Sequence, residues 1–149
     1  MPHFSTVSKR RLASCHPYLQ EIATRAIEVM DFSIDCGHRS QVDQERAVRE
    51  GASKANYPYS LHNANPSQAI DVAPWLAKRP HRPLNLYYAR ESALWGKLAG
   101  VILTIAADVA KSRPEWERFS LIWGADWNDD GDTRDTNLLD LGHFEMEIN

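Results

Sequence analysis

Cysteine, glycine and net charge are all scarce in this chain, and each shortage closes a class of answer. Two cysteines among 149 residues, Cys15 and Cys36, cannot build a disulfide scaffold, and both read as buried thiols. Seven glycines and eight prolines leave no room for a collagen-like or low-complexity chain. With 17 Lys plus Arg against 20 Asp plus Glu, the formal charge of -3 argues against a protein that grips nucleic acid or an anionic membrane through a basic surface. Long apolar runs are missing too. The longest, Leu94 to Ala110, is broken by Lys97 and Asp108 and falls short of the roughly 20 residues that span a bilayer, so it reads as a core helix. Met1 to Arg11 carry charge with no apolar run of signal-peptide length behind them. Synthesis is therefore expected to end in the cytoplasm, with no stable membrane association.

What is present is ordinary globular material: 43% hydrophobic residues, 25% charged residues and 9% aromatics. A length near 150 suits one domain, 1–149, without a linker, a repeat or a second domain. From Pro17 to Met30, Leu19, Ile22, Ala23, Ala26, Ile27 and Met30 recur every three or four residues, which predicts an amphipathic helix capped by Ser14 or His16. Phe32 to Cys36 alternates with period two and predicts a strand ended by Gly37. Ser40 with Asp43 resembles a capping box for a second helix that Gly51 ends. Residues 52–68 read as a loop, Ala69 to Ala73 as a short strand stopped by Pro74, and Asn85 as the cap of a long helix to Lys111 after the basic stretch Lys78 to Pro83. Leu94, Leu98, Val101, Ile102, Ile105 and Val109 form that helix's expected buried stripe. Phe119 to Trp123 and Phe144 to Ile148 complete the strands. Elements in this order predict an α+β fold with a small, mostly antiparallel sheet and about three helices.

Of six histidines, His62 precedes a strand bearing Asp71, and His143 opens the last strand in Asp140-Leu141-Gly142-His143-Phe144-Glu145. Two imidazoles and a carboxylate are a catalytic zinc set, because three protein ligands leave one position for a water whose pKa falls to roughly 7. Spacing by itself leaves the other reading open, in which each histidine caps a turn or pairs with a carboxylate. Ser60 stands in no serine-histidine-acid arrangement and reads as a residue that orients its loop. Cys36 and His38 share a face of an extended strand, yet Cys36 also continues the apolar alternation of Phe32 and Ile34, which assigns it to core packing. Trp75, Trp123 and Trp127 border these segments, with packing their expected role.

Taken in order, Ser60-Leu61-His62, Ala69-Ile70-Asp71-Val72-Ala73-Pro74, Gly124-Ala125-Asp126-Trp127-Asn128 and Asp140-Leu141-Gly142-His143-Phe144-Glu145 resemble the phage L-alanyl-D-glutamate endopeptidases. These endolysins belong with the zinc D,D-peptidases of bacterial cell walls. The resemblance implies a hedgehog-like zinc D,D-peptidase architecture, zinc held by His62, Asp71 and His143, and Asp140 as catalytic acid/base. Arg39 falls where the family carries an arginine that holds or polarises the substrate, with Ser60 beside it as a substrate-binding residue. The family's spacing is not kept throughout: the stretch from His62 to Asp71 is two residues longer and lacks the family's glycine, the insertion lying within Asn63 to Gln68.

The activity so implied is hydrolysis of the L-alanyl-D-glutamate bond of peptidoglycan stem peptides by a monomer. The enzyme would reach the wall once a separately encoded membrane pore admits it. The alternatives are a D,D-carboxypeptidase or dipeptidase of the same zinc architecture, and a non-catalytic zinc-binding module. A second metal signal lies in Asp126-Trp127-Asn128-Asp129-Asp130-Gly131, which matches the first half of a calcium loop. Asp126, Asn128, Asp130 and Asp132 are the candidate ligands of a regulatory calcium, although Asn137 stands where a closing Glu belongs. A solvated acidic turn is the other reading of that segment.

Overall fold

The computed structural model describes residues 1–75, 89–136 and 138–149, with the backbone alone for 89–92. The basic stretch Lys78 to Pro83, the cap expected at Asn85 and Asn137 lie outside the described residues.

Ser5 caps α1 (Thr6–Ala13), accepting the Ser8 amide on its hydroxyl. Hydrophobic periodicity does not announce this helix, since it buries only Ser8 and Leu12 and is otherwise rich in basic residues. Next comes α2 (Pro17–Val29), begun by a proline whose missing amide costs nothing in the first turn and capped by the His16 ring. Leu19, Ile22 and Ile27 are buried along it, and each contributes about 1.5–3 kcal/mol against roughly 1 kcal/mol for a cap. Burial therefore decides where α2 lies, and the cap decides where it starts. Strand β1 (Phe32–Cys36) and helix α3 (Gln41–Arg49) follow. Ser40 caps α3 through the Asp43 amide, and Gly51, at φ +75°, takes the chain out of it.

Strand β2 (Ala69–Pro74), helix α4 (Ala89–Ser112), strand β3 (Phe119–Trp123) and strand β4 (His143–Ile148) complete the main elements. The sheet runs β1-β2-β4-β3, antiparallel throughout. One face, made by Phe32, Ile34, Ile70, Val72, Leu121, Phe144 and Met146, meets α2 and α4 in a single apolar core. On α4 the buried stripe is Trp95, Leu98, Ala99, Ile102, Ala106 and Val109, while Val101 and Ile105 pack only partly. The helix is thus turned slightly from the expected stripe, with Ala99 and Ala106 facing the core in place of Val101 and Ile105. Ala93–Ser112 is long and apolar enough to cross a membrane by length and composition, but from Leu98 to Val109 its stripe belongs to this core, and Trp95 packs with Ala125 and Leu141.

Two departures from the strand pattern matter for the other face of the sheet. Ile34 pairs with Val72 and Cys36 with Asp71, so two residues of β1 span one residue of β2. This bulge moves Cys36 out of the core alternation. The expected burial of both cysteines therefore holds for Cys15, at 1% exposed, and not for Cys36, which is half-buried. In addition, the insertion between Asn63 and Gln68 turns away toward the α1–α2 junction. Buried Ser67 donates its amide to Ser14 and accepts that of His16 there.

Candidate active site

Alternation along β2 and β4 sends Ile70, Val72, Phe144 and Met146 into the core, and therefore Asp71, His143 and Glu145 to the opposite face. Asp71 and His143 are direct cross-strand partners. His62 reaches them from the short 3-10 turn Leu61–Asn63, which Ser60 caps by accepting the His62 amide at 3.3 Å. The loop-orienting part expected of Ser60 is visible in that bond. Gly37 supplies the other anchor: its carbonyl accepts from His62 Nδ1 at 2.8 Å. A Cβ on Gly37 would lie 2.4 Å from both the Arg11 carbonyl and the Ser14 hydroxyl, so only glycine lets the strand end press this close to α1.

Both histidines direct a nitrogen at the same carboxylate oxygen. His62 Nε2 is 3.2 Å and His143 Nδ1 2.9 Å from Asp71 Oδ1. Their remaining nitrogens are held by Gly37 and, at 2.9 Å, by Glu145 Oε1. Carbonyl and carboxylate supports of this kind fix the tautomer and orientation of metal-binding imidazoles. Separations near 3 Å are also close to the edge of a tetrahedron built on bonds of about 2.0–2.1 Å, and nitrogen, nitrogen and oxygen are donors that zinc accepts. In donor type and in the spacing of each imidazole from Asp71, the residues present fit a zinc ion.

Without an ion, protons occupy that place. Burial would lower the His62 pKa, but hydrogen bonds and charge from Asp71 and Cys36 outweigh it and raise the imidazole to about 10. At His143 burial is again outweighed, here by Asp71 and Glu145, and the ring rises to about 9. Burial pushes Asp71 up, but the two imidazolium donors prevail and hold it far below the usual carboxylate range.

Arg39 donates from Nη1 to Gln44 at 3.0 Å and from Nη2 to Asp71 Oδ2 at 3.5 Å. Buried Gln44 also accepts from Asn63 and donates to Ser53 and Ala55, tying α3 to the loop that follows it. Asp140 is exposed to the cleft with its carboxylate beside Asp71 and His143. Burial of its inner side and the charge of Asp71 raise its pKa, partly offset by His143. Arg39, His62, Asp71, Asp140, His143 and Glu145 line a cleft of about 310 Å3 with Lys54, Tyr59, Ser60, Trp127 and Leu138. Of the three tryptophans, Trp127 borders the cleft, its ring 5.4 Å from that of His143. Trp123 is tied to Leu141 and packs in the interior, and Trp75 lies against Asp31 and Phe32 elsewhere.

Sequence reasoning missed Glu145 and Gln44. Glu145 was accessible to it, since i and i+2 share a strand face. The hint for Gln44 was only that α3 has too few apolar residues to dock by burial alone.

The acidic loop is organised by its own backbone. Asp126 accepts the amides of Asp130 and Gly131, and Asn128 donates to Asp130 and Asp135. Asp132 is drawn aside by Arg134, at 2.7 and 2.8 Å. Among the described residues, the convergent groups of His, Cys, Asp and Glu donors are Cys36–His62–Asp71 and Asp71–Asp140–His143; the loop forms none.

Three comparisons with known proteins agree. A family described as phage L-alanyl-D-glutamate peptidase matches residues 2–147. The L-alanyl-D-glutamate peptidase of Escherichia phage T5 is 30% identical over 149 residues, covering 96% of each chain. In fold, the chain is similar to the Serratia marcescens L-Ala D-Glu endopeptidase ChiX, with a TM-score of 0.67 at 22% identity over 97% of this chain and 90% of that one.

Proposed function

This chain belongs to the phage L-alanyl-D-glutamate peptidase family, and from that premise we propose that it hydrolyses the L-alanyl-D-glutamate bond of peptidoglycan stem peptides during phage lysis. The carrying observation is that His62 and His143, from distant parts of the chain, aim at one oxygen of Asp71 while carbonyl and carboxylate groups hold their far sides. In this reading residues 1–149 form one catalytic domain, acting as a monomer on the wall after a separate pore opens the membrane.

His62, Asp71 and His143 would hold zinc, which supplies a Lewis acid for the scissile carbonyl and acidifies a coordinated water. Asp140 has the position and the raised pKa to take a proton on its carboxylate and return it to the departing amide nitrogen. Arg39 stands at the cleft beside Asp71, where its guanidinium would meet the carbonyl or a carboxylate of the substrate. Ser60 holds the His62 turn at the cleft wall.

Purified peptidoglycan incubated with the wild type and with Asp140→Ala, followed by mass spectrometry of the released termini, tests this. New N-terminal D-glutamyl peptides from the wild type, reduced at least 100-fold in the variant, are expected from the loss of a general acid/base. Release of terminal D-alanine would point instead to a carboxypeptidase, and no release to an inert binding module.

The loop from Asp126 to Asp132 carries the proposed calcium. Its candidate ligands Asp126, Asn128, Asp130 and Asp132 are engaged with backbone amides, with one another and with Arg134, so calcium would have to displace those contacts and would bind weakly. Because this loop leads into Asp140 and His143, calcium is expected to raise hydrolysis, and Asp130→Ala to abolish the response with zinc content unchanged. Activity indifferent to calcium removes this ion from the account.

A further inference from the structure

We propose that Lys54 reads the free carboxylate of the D-glutamyl residue beside the scissile bond, so that stem peptides carrying that charge are preferred over those in which the group is a carboxamide. The inference rests on the peptidase reading above and adds a specificity-determining residue to it. A glutamyl residue has two carboxyl groups, and the one not used in the onward amide enters the cleft as an anion within one residue of the bond that breaks. The cleft does not favour it by default. Asp71, Asp140 and Glu145 all line the walls, and like charges brought together oppose binding. Among the described lining residues, Arg39 and Lys54 are the lysine and arginine side chains available to answer that charge. Arg39 is already engaged, its Nη1 with Gln44 and its Nη2 with Asp71 and Cys36, which keeps it beside the metal-binding carboxylate. Lys54 is exposed and forms no ion pair with a described residue.

The backbone on either side of Lys54 is fixed by a side chain that does not meet solvent. Gln44, at 0% exposure, donates from Nε2 to the Ser53 hydroxyl at 2.9 Å and to the Ala55 carbonyl at 2.6 Å. The Ser53 hydroxyl in turn accepts the Ala55 amide at 3.2 Å, and the amides of Ala52 and Ser53 return to the Ala47 carbonyl on α3. Through its Oε1 the same Gln44 accepts from Arg39 at 3.0 Å, so one buried amide anchors both cationic residues of the cleft. A lysine on a fixed root is a compact charge on a flexible stem, and only that stem has to be ordered when a carboxylate arrives. The contact it gains is a charge-assisted hydrogen bond. A carboxamide of the same size carries no charge and turns one of its two polar atoms from acceptor to donor, which an ammonium cannot use. This division of work leaves Arg39, held beside Asp71, for the scissile carbonyl.

Two synthetic stem peptides that differ only at this group, a carboxylate in one and a carboxamide in the other, test the role when each is cleaved by the zinc-loaded full-length protein. For the wild type, kcat/KM is expected to be about tenfold or more higher on the carboxylate peptide, with the difference mainly in KM, as one binding contact to a charged group implies. Lys54→Met keeps the length of the stem and removes the charge, and should bring the ratio between the two peptides close to one. Lys54→Arg should restore the preference. Equal cleavage of both peptides by the wild type, or a preference that Lys54→Met leaves intact, overturns the role of Lys54 and leaves the peptidase reading standing. Cleavage of neither peptide by the wild type overturns both.

Discussion

His143 shows how much a proposed ligand depends on a neighbour that never touches the ion. One ring nitrogen faces Asp71 and the other is 2.9 Å from Glu145, so the carboxylate fixes which nitrogen is free to bind and makes it a better donor. Glu145→Gln keeps the size and a hydrogen-bonding group but removes the charge. It is expected to weaken zinc affinity about 10–100-fold, measured by competition with a chromophoric chelator, with the fold unchanged by circular dichroism. Unaltered affinity would reduce Glu145 to a surface partner. At this scale the sequence was half informative. The strand alternation that brings Glu145 to the His143 face can be read directly, whereas the meeting of His62 with Asp71 depends on a turn whose direction no local pattern specifies. That pairing was anticipated through resemblance to a family, and Gln44, which joins Arg39 to the same turn, was not anticipated at all.

Among the elements, the segment between β3 and β4 does most to present Asp140. Gly124 donates its amide to the His143 carbonyl and accepts the Asp140 amide, both at 2.8 Å. A Cβ at Gly124 would stand 2.3 Å from the Asp140 carbonyl and 3.1 Å from the His143 Cβ, and the nearer obstacle is backbone, which cannot rotate aside. Gly124→Ala should therefore push the two segments apart, costing about 1–3 kcal/mol as overpacking does. Wall hydrolysis should fall at least tenfold while zinc remains bound through His62 and Asp71. Wild-type activity in that variant, assayed beside urea unfolding, would show that the contact tolerates displacement. The strands were legible as short apolar runs, and β1 and β3 occupy the expected residues. What was hidden is a property of pairs of strands. The bulge at Asp35 exists only in the register between β1 and β2, so alternation in β1 alone assigned Cys36 to the wrong face. Helix α1 escaped notice for a different reason: held by a cap and two buried side chains, it lacks the apolar stripe that periodicity detects.

For the whole molecule, the cluster around Asp71 makes stability depend on pH in opposite senses with and without metal. In the metal-free protein His62 titrates at about 10 and His143 at about 9, against 6.5 for an ordinary histidine. The folded state therefore binds these protons more tightly than the unfolded state, and folding gains from them fully below pH 6.5. That gain drains away as the pH rises through about 9 and about 10, when the native imidazoles finally lose their protons. Asp71 works in the other direction: its depressed pKa stabilises the fold above the ordinary value of 3.8 and ceases to do so in stronger acid. Metal-free protein should then have its highest Tm between these limits and lose Tm steadily on the alkaline side, and Asp71→Asn should flatten that slope. Zinc must displace the same protons, so its affinity should increase with pH and the Tm of the loaded protein should hold or rise where that of the metal-free protein falls. Thermal unfolding of chelator-treated and zinc-loaded samples from pH 6.5 to about 10 separates the two curves. If they run parallel across that interval, the imidazoles are not exchanging protons for metal, and the convergence on Asp71 is an ion-pair cluster with a structural purpose only.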